Sequence, residues 1–421
     1  MQNHKARIVL LHRLLCSSVN RTRKQNWGND KKCARSYKME VPEEVLHEYD
    51  YATATLTLST QGFLNCISER RDSVAMVEFR RSSTTQIDRE RNVVNQAQKT
   101  PQLTVLGFDL GGTKTACVEG TVNGETLQRV EMPTNAAEPF AKTFPHIVRA
   151  ARALRERAEG EGRRIAAVSV SVGGPLRIDE GFLINPPHLP GWHNVALKER
   201  LVEEFPGMPV RVEHDGNAGA LAEFHFGVGK DRTDLKHLVF LTFGTGVGAG
   251  LIVNGQIVRG ASDTAGEVGH WRLAEDGPLG FGKRGSWESF ASGAGLVELA
   301  ARMFPARWNS STPIRVLVES MVEDDAEAQQ VADEAGKWMG RGLALLIDAL
   351  NPQVIVFGSL GVVLGERILG PARKVIAEEA LPQAASACVL QPAALGNRIG
   401  DVAALMAALV DPSIRSMLHE G

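Results

Sequence analysis

The chain has 421 residues, of which 43% are hydrophobic and 23% charged, and its formal net charge is -2. These values are ordinary for a globular protein of two or three domains. The near balance of charge excludes an overall attraction to nucleic acid or to an acidic membrane surface, so we expect neither as a partner. No apolar run reaches the length of a membrane-spanning helix.

The cysteines are scattered along the chain. They are Cys16, Cys33, Cys66, Cys117 and Cys388. Their spacing matches neither a disulfide framework nor a metal site, which fits a reducing compartment. We therefore expect a cytoplasmic protein.

Residues 1–100 differ in composition from the rest of the chain. Residues 1–38 hold ten lysines and arginines and one acidic residue, and no helical or strand period continues for long. We expect a poorly ordered basic extension, produced by an upstream start with Met39 or Met76 nearer the true one. A transit peptide built on the apolar patch from Ile8 to Leu15 stays open, although no clean small-residue cleavage site follows it.

From Thr104 onward, strand-length apolar runs alternate with helical periods. In the first part we predict strands at Val105–Phe108, Ala116–Val118, Gln128–Met132, Ile165–Val172 and Val210–Glu213, and helices at Glu138–Glu159, Val195–Phe205 and Asn217–Phe226. In the second part we predict strands at Leu238–Phe243, Gln256–Val258 and Val354–Phe357, and helices at Gly293–Met303, Ala326–Leu350, Arg367–Glu379 and Asp401–Leu409, the last closing the chain. This alternation predicts two α/β lobes, residues 101–214 and 215–421, with a central cleft between them. The last helix is free to pack back on the first lobe.

Two glycine-rich turns each follow an apolar strand. The first is Asp109-Leu110-Gly111-Gly112-Thr113-Lys114, and the second, more than a hundred residues later, is Gly244-Thr245-Gly246. Glycine lets a backbone approach a ligand closely, and successive N–H groups in such a turn form a concavity for anions. We therefore predict that each lobe offers one turn to the same phosphate chain.

Two aspartates at strand ends each have a functional and a structural interpretation. Asp215 lies between a strand and a helix, where it could accept a proton from a substrate hydroxyl or cap the helix. Asp109 could position Mg²⁺ through water or serve as a turn residue, although the paired glycine turns favour the metal role. Lys114 beside it could bind phosphate or face solvent.

Three further polar residues follow the second glycine turn. Glu267 and His270 are the hydrogen-bonding groups of a Gly-Glu-x-Gly-His segment, and such groups suit a polyol, although His270 could equally be a turn residue. Glu288, in Gly285-Ser286-Trp287-Glu288, could be a first-turn carboxylate that stabilises a helix N-terminus.

With these motifs in order, the chain from about Gln102 to the C-terminus resembles the ROK family of sugar kinases, within the actin/hexokinase/Hsp70 (ribonuclease H-like) superfamily. The resemblance implies phosphorylation of a hexose at its primary hydroxyl, most simply glucose to glucose 6-phosphate, with ATP and Mg²⁺ as cofactors. N-acetylmannosamine or N-acetylglucosamine as the sugar, and polyphosphate as the donor, remain open. The resemblance also implies a homo-oligomer, because family members are often dimers or tetramers.

Two functions without catalysis also remain open. Some family members are sugar-responsive repressors with an N-terminal winged helix-turn-helix, but residues 1–100 show no paired amphipathic helices around a glycine turn. A non-catalytic sugar sensor is disfavoured because Asp109 and Asp215 are both retained.

The resemblance assigns roles to individual residues. Asp215 matches the catalytic base of the family's Asn-Asp-x-Asn motif, and His214 stands where the family has a sugar-binding Asn. The residues that we expect to bind the sugar are Gly174, Asn185, His214, Glu267, His270 and Glu288. Those that we expect to bind Mg²⁺ and ATP are Asp109, Gly111, Gly112, Thr113, Lys114, Gly244, Thr245, Gly246 and Gly358, the last in a loop that could also be an ordinary helix start.

The chain departs from the family at its zinc site. Typical members follow the matching His with three cysteines, whose positions here hold Leu279, Phe281 and Ser286. Zinc needs thiolate or imidazole ligands, and one His cannot hold it, so we predict no zinc. We expect apolar contacts of Leu279, Phe281 and Trp287 to fix this loop, which would leave His270 to serve the sugar alone.

Overall fold

The protein is described by a computed structural model that defines residues 101–280 and 282–420. The predicted basic extension, residues 1–100, lies outside these described residues, as does Phe281. Within the described ranges, no helix combines the length and the apolarity that crossing a lipid bilayer would require.

The strands form two large sheets and two small ones within the described ranges. In chain order they are β1 (Gln102–Leu110), β2 (Lys114–Gly120), β3 (Thr126–Pro133), β4 (Arg163–Val172), β5 (Leu176–Arg177), β6 (Phe182–Leu183), β7 (Val195–Ala196), β8 (Val210–His214), β9 (Leu238–Phe243), β10 (Val247–Val253), β11 (Gln256–Ile257), β12 (Leu279–Gly280), β13 (Lys283–Arg284), β14 (Val354–Phe357) and β15 (Val389–Pro392).

Both large sheets have the same strand order. The first is β3-β2-β1-β4-β8 and the second is β11-β10-β9-β14-β15. In each sheet the first three strands are antiparallel neighbours, and the last two run parallel to the third. The repeated order confirms the prediction of two α/β lobes of the actin and hexokinase type. Parallel pairing also brings the carboxyl ends of neighbouring strands to one edge, where ligands bind in such sheets.

Helices cover both sheets. They are α1 (Phe140–Gly160), α2 (Leu197–Glu204), α3 (Asp215–Phe226), α4 (Trp287–Ala291), α5 (Gly293–Met303), α6 (Ile314–Val322), α7 (Ala326–Leu350), α8 (Leu360–Leu364), α9 (Glu366–Glu379), α10 (Pro382–Ala387), α11 (Ile399–Leu409) and α12 (Pro412–Glu420). The 3₁₀ turns Val268–His270 and Gly396–Arg398 lie between them.

A shared hydrophobic core joins the two sheets. It contains residues of β1, β4, β9 and β14 together with buried faces of α3, α11 and α12. The backbones of β10 and α3 approach each other closely in this core. A Cβ added at Gly250 of β10 would lie 2.1 Å from the carbonyl oxygen of Gly216 in α3. The start of α3 is therefore packed directly against the second sheet.

Most of the predicted elements are found with nearly the predicted bounds, and α5, α7, β9 and β14 have the bounds predicted. The predicted helix Val195–Phe205 is wrong at its start, because residues 195 and 196 form β7, which pairs with β6. The prediction that Asp401–Leu409 closes the chain is also wrong. After α11, Asp411 Oδ1 accepts the N–H groups of Ser413 and Ile414 at 3.0 and 3.1 Å and starts α12.

Candidate active site

The carboxylate predicted as the base and the carboxylate predicted to position Mg²⁺ lie at the same edge of the first sheet. Asp109, near the end of β1, aligns with Ser171 of β4, which aligns with Glu213 of β8. Asp215 follows β8 as the first residue of α3. Because these three strands are parallel, their ends open onto one crevice. The structure therefore brings Asp109 and Asp215 close enough for the charge of Asp215 to raise the pKa of Asp109.

Asp109 is an acid whose negative charge is poorly compensated. The pKa of Asp109 is raised from 3.8 to about 7, first by burial and then by the charges of Asp215 and Asp401, whereas Lys114 and Arg129 act in the opposite direction. Arg129 is itself held by Asp401, at 2.8 Å. A bound cation would reverse this balance and keep Asp109 ionised.

The N-terminus of α3 is capped by His214 and not by Asp215. His214 Nδ1 accepts a hydrogen bond from the N–H of Gly216 at 3.3 Å. Asp215 Oδ1 also accepts from that N–H, at 2.7 Å, and its side chain is 48% exposed. Asn217, in the first turn of α3, donates from Nδ2 to Glu213 Oε1 at 2.9 Å. A half-exposed carboxylate at a strand end can accept a substrate proton.

Four of the predicted sugar-binding residues lie in one group. His214 Nε2 is 3.9 Å from Glu267 Oε1. Burial raises the pKa of Glu288, whereas the charge of His270 and a hydrogen bond from the Val247 N–H lower it, and Glu267 raises it again. These acids and imidazoles are thus within electrostatic reach of one another.

Glu288 has a hydrogen-bonding oxygen left over. Its Oε1 atom is buried and has no hydrogen-bond partner among the described residues. A buried carboxylate oxygen without a donor costs about 1–3 kcal/mol or more. A hydrogen bond from a ligand hydroxyl would remove this cost. Glu288 Oε1 is therefore well placed to accept such a hydrogen bond.

Glycines line the approach to these side chains. A Cβ added at Gly174 would lie 2.9 Å from His214 Cδ2, and one at Gly269 would lie 3.2 Å from Glu288 Oε2. Side chains at these positions would displace the predicted sugar-binding residues. The placement of Gly174 therefore agrees with its predicted role at this site.

The loop between β6 and β7 brings His188 to the site. Asn185 and His188 are both exposed, but Asn185 takes part in none of these contacts. A Cβ added at Gly112 would lie 2.6 Å from the His188 carbonyl oxygen. One at Gly173 would lie 4.0 Å from His188 Cδ2 and 3.5 Å from Asp215 Oδ2. The sequence did not predict His188, because nothing in the loop marks which of its exposed polar residues lies beside Gly112 and Gly173.

Thr134 holds the first glycine turn in place. Its Oγ1 donates to the carbonyl of Gly111 at 2.6 Å, and its N–H donates to that of Thr113 at 3.1 Å. The shape of the turn is therefore fixed by protein contacts. Lys114 pairs with Glu131 at 3.0 Å on the surface, which favours the interpretation that it faces solvent.

The start of α5 holds the second glycine turn in place. The N–H of Gly293 donates to the carbonyl of Gly244 at 2.7 Å, and that of Ala294 donates to Thr245 at 3.3 Å. Within the turn, the N–H of Gly244 donates to Gly246 at 3.1 Å. Free N–H groups of a helix N-terminus commonly bind such carbonyls.

Gly358 lies at the same edge of the second sheet as this turn. Its N–H donates to the carbonyl of Leu241 in β9 at 2.9 Å. A Cβ there would lie 2.7 Å from the ring of Phe240, so packing alone explains the glycine. A contact with adenosine stays a prediction.

The segment at the family's zinc position is held differently from what we predicted. Leu279 is 57% exposed and pairs with Arg284 in the hairpin β12–β13, so its predicted apolar role is wrong. Ser286 is buried and caps α4 by accepting the N–H of Ser289 at 3.3 Å. Phe281 lies outside the described residues. Within the described ranges, no group of three or more metal-ligating side chains comes together.

Tryptophan packing and a lysine fix this segment. The ring of Trp287 is fully buried and stacks on Trp271 at 5.9 Å, and the backbone N–H of Trp287 donates to the Trp271 carbonyl at 2.8 Å. Lys283 donates to the carbonyl of His270. The buried indole of Trp287 bears out one of the predicted packing contacts.

Neither of the two cavities described is lined by Asp109 or Asp215. One of about 720 Å³ lies between α1 and α2 and is lined by residues such as Phe144, Arg149 and Arg200. A smaller one of about 280 Å³ is lined by Glu267 together with Leu251 and Leu346. The candidate site is therefore defined by its side chains and not by either of these cavities.

The repeated sheet order, with a pair of carboxylates at the crevice edge of the first sheet, defines a two-lobed protein of the actin and hexokinase class. The chain belongs to the ROK family, whose family model matches residues 105–410. This finding confirms the resemblance seen in the sequence.

Curated relatives include kinases for different sugars. The chain is 31% identical over 310 residues to a glucokinase of Halalkalibacterium halodurans, covering 70% of this chain and 92% of the relative. It is 32% identical over 284 residues to an N-acetylmannosamine kinase of Salmonella heidelberg, covering 66% of this chain and 90% of the relative.

Solved structures with the same fold include both an enzyme and a regulator. A ROK family glucokinase from Streptomyces griseus, in complex with glucose and AMPPNP, is 29% identical with a TM-score of 0.59, covering 72% of this chain and 97% of that one. A ROK family transcriptional regulator, a homologue of the E. coli MLC protein, has a TM-score of 0.67 and covers 79% of this chain and 86% of that one. At 19% identity, the regulator shows the shared fold alone.

Proposed function

We propose that the protein is a sugar kinase that transfers the γ-phosphoryl group of ATP to the primary hydroxyl of a hexose, with glucose as the favoured acceptor. The observation that carries the proposal is the meeting of Asp109 and Asp215 at one crevice, from distant parts of the chain. Glucokinases among the relatives support the choice of sugar.

Asp215 acts as the general base in this proposal. Its exposed carboxylate takes the proton from the sugar hydroxyl while that oxygen attacks the γ-phosphorus and the bond to the ADP oxygen breaks. Its position at the start of α3, against β10 of the second lobe, fixes it between the two sheets. Most of the acceleration of such a reaction comes from positioning and charge stabilisation.

Asp109 fits a role in holding Mg²⁺ with ATP. Carboxylate oxygens are preferred Mg²⁺ ligands. Burial and the charge of Asp215 disfavour the ionised form of Asp109, and a nearby cation would compensate its negative charge. When bound, the ion would offset negative charge on the phosphates. The two glycine turns, fixed by Thr134 and by the start of α5, provide backbone N–H groups for those phosphates.

The sugar is bound by His214, Glu267, His270 and Glu288 in this proposal. The unpaired Oε1 of Glu288 supports it, because this oxygen can accept a ring hydroxyl. His214 stands where the family has Asn, and an imidazole presents one acceptor or donor at each of two positions. That difference, with the relative that is an N-acetylmannosamine kinase, leaves an N-acetylhexosamine as the second candidate acceptor.

A panel of hexoses and N-acetylhexosamines, each with ATP and with polyphosphate, tests the proposal. We expect ATP-dependent formation of a 6-phosphate sugar, detected by coupled release of ADP and by phosphorus NMR of the product. Turnover of an N-acetylhexosamine alone would replace glucose with the second candidate. Failure to phosphorylate any sugar, with DNA binding seen in a gel shift, would favour a regulator instead.

A further inference from the structure

Glu213 is a buried carboxylate next to the proposed base. It is 1% exposed, and its Oε1 accepts from the N–H of His214 at 3.1 Å and from Asn217 Nδ2 at 2.9 Å. Its Oε2 accepts from Arg259 Nε at 3.1 Å and from Arg259 Nη2 at 2.5 Å. A buried carboxylate requires this kind of compensation, and a guanidinium supplies it with fixed geometry.

Arg259 comes from the other lobe. It follows β11 of the second sheet and begins the segment 259–267, which ends on the proposed sugar ligand Glu267. The segment is braced on its own lobe, because the N–H of Ala265 donates to the Arg259 carbonyl at 3.0 Å and that of Ala249 donates to Gly266 at 2.8 Å. A displacement of Arg259 would therefore be accompanied by a displacement of Glu267.

A second contact joins the same segment to the first lobe. Asp263 Oδ2 accepts the N–H of Ile178, between β5 and β6, at 2.9 Å. Segment 259–267 thus contacts the first lobe through Arg259 and Asp263, in addition to the approach of Glu267 to His214.

We propose that Arg259 is a positioning residue, which acts through Glu213 to hold Asp215 in register with the sugar ligand Glu267. The inference rests on the proposed function, in which Asp215 is the base. The Glu213 carboxylate binds the His214 backbone and the first turn of α3 on one side and Arg259 on the other. It therefore links the base and the sugar-binding segment through one side-chain pair.

A small displacement of the base is costly in this arrangement. Misplacement of a reacting group by about 1 Å can reduce turnover by roughly 100-fold. The Arg259→Met variant should therefore lower kcat by about 10- to 100-fold while leaving KM for ATP within about two-fold. Arg259→Lys should recover part of the loss, because it restores the charge but not the two-pronged contact.

The double variant Glu213→Gln/Arg259→Met separates positioning from simple charge compensation. Glutamine can keep the bonds to the His214 N–H and to Asn217 without leaving a buried charge. If Arg259 positions the base, the double variant regains the melting temperature lost in Arg259→Met but keeps the low kcat. If Arg259 only neutralises Glu213, the double variant regains both, which would overturn the proposal.

A matched control and the wild-type protein complete the test. Arg232 is 40% exposed, close to the 38% of Arg259, and pairs with Asp234 on the surface, so Arg232→Met should leave kcat unchanged. An active wild type with a fully active double variant would overturn this inference alone. A wild type that phosphorylates no sugar would overturn the proposed function and this inference with it.

Discussion

Asp109 links the electrostatics of the site to the pH dependence of folding. Its pKa is about 7 in the folded protein against 3.8 for the ordinary side chain. Between these values the folded state keeps a proton that the unfolded state releases. The contribution of this group to stability is therefore fully present below pH 3.8 and is lost as the pH rises to about 7.

The Asp109→Asn variant should be more stable than the wild type at pH 8 without ligands, by up to about 4 kcal/mol. The advantage should shrink toward pH 5, where wild-type Asp109 is protonated. Urea unfolding at both pH values measures it, with Asp333→Asn on the exposed face of α7 as the control. Equal stability of variant and wild type at pH 8 would show that the ionised Asp109 carboxylate does not destabilise the folded protein.

Glu288 tests the sugar side of the proposed site. Glu288→Gln should weaken binding of the accepted sugar by about 10- to 100-fold, because hydrogen bonds to charged groups contribute about 1.5–3 kcal/mol. KM for ATP should not change. Calorimetric titration with the sugar measures the effect, and Glu275→Gln, on an exposed residue of the preceding loop, is the control. Unaltered sugar affinity would remove Glu288 from the site.

At the scale of elements, the segment 271–291 shows how a loop at the family's zinc position is held by packing. Trp287→Ala should lower the free energy of unfolding by about 3–5 kcal/mol, because it removes a fully buried indole stacked on Trp271. Leu279→Ala should change it by less than about 0.5 kcal/mol, because that side chain is exposed. Chemical denaturation compares the two, and similar losses would contradict this account of the loop.

We also predict that the purified protein carries no stoichiometric zinc. The cysteine positions hold Leu279, Phe281 and Ser286, and none of these side chains is a zinc ligand. Elemental analysis of the protein, and melting with and without a zinc-selective chelator, measure this. One zinc per chain, or a lower melting temperature with the chelator, would contradict the prediction.

Long elements with a clear period could be predicted from the sequence. The helix Ala326–Leu350 and the strand Val354–Phe357 were found with the predicted bounds, because their apolar patterns continue to their ends. Short elements could not be predicted in this way. The two-residue strand β7 exists only because it pairs with β6. The helix α12 had a local signal, an aspartate followed by proline, that was not used.

At the scale of the whole molecule, the shared core explains why motifs far apart in the chain belong to one site. Helix α11 packs on the first sheet and on α3, and α3, which begins at Asp215, packs on strands of both sheets. The sequence motifs could predict Asp109, Asp215, Glu267 and Glu288, because glycine turns and strand ends mark them. The same motifs could not predict Arg259 as the partner of Glu213, because that pairing depends on how the two lobes meet.

The expectation of a homo-oligomer stays a prediction for the whole molecule. Analytical ultracentrifugation of the full chain measures it directly. A single species at monomer mass over the range of working concentrations would contradict it.

The turnover number of Asp215→Asn tests the central claim most directly. The claim is that Asp109 and Asp215 serve one nucleotide and one sugar in a common crevice. Loss of a general base typically lowers kcat by about 10²- to 10⁴-fold. We predict a loss of this size with sugar binding kept, while Asp179→Asn, on an exposed turn of the first lobe, retains full activity. An Asp215→Asn protein that phosphorylates its sugar at the wild-type rate would contradict the account.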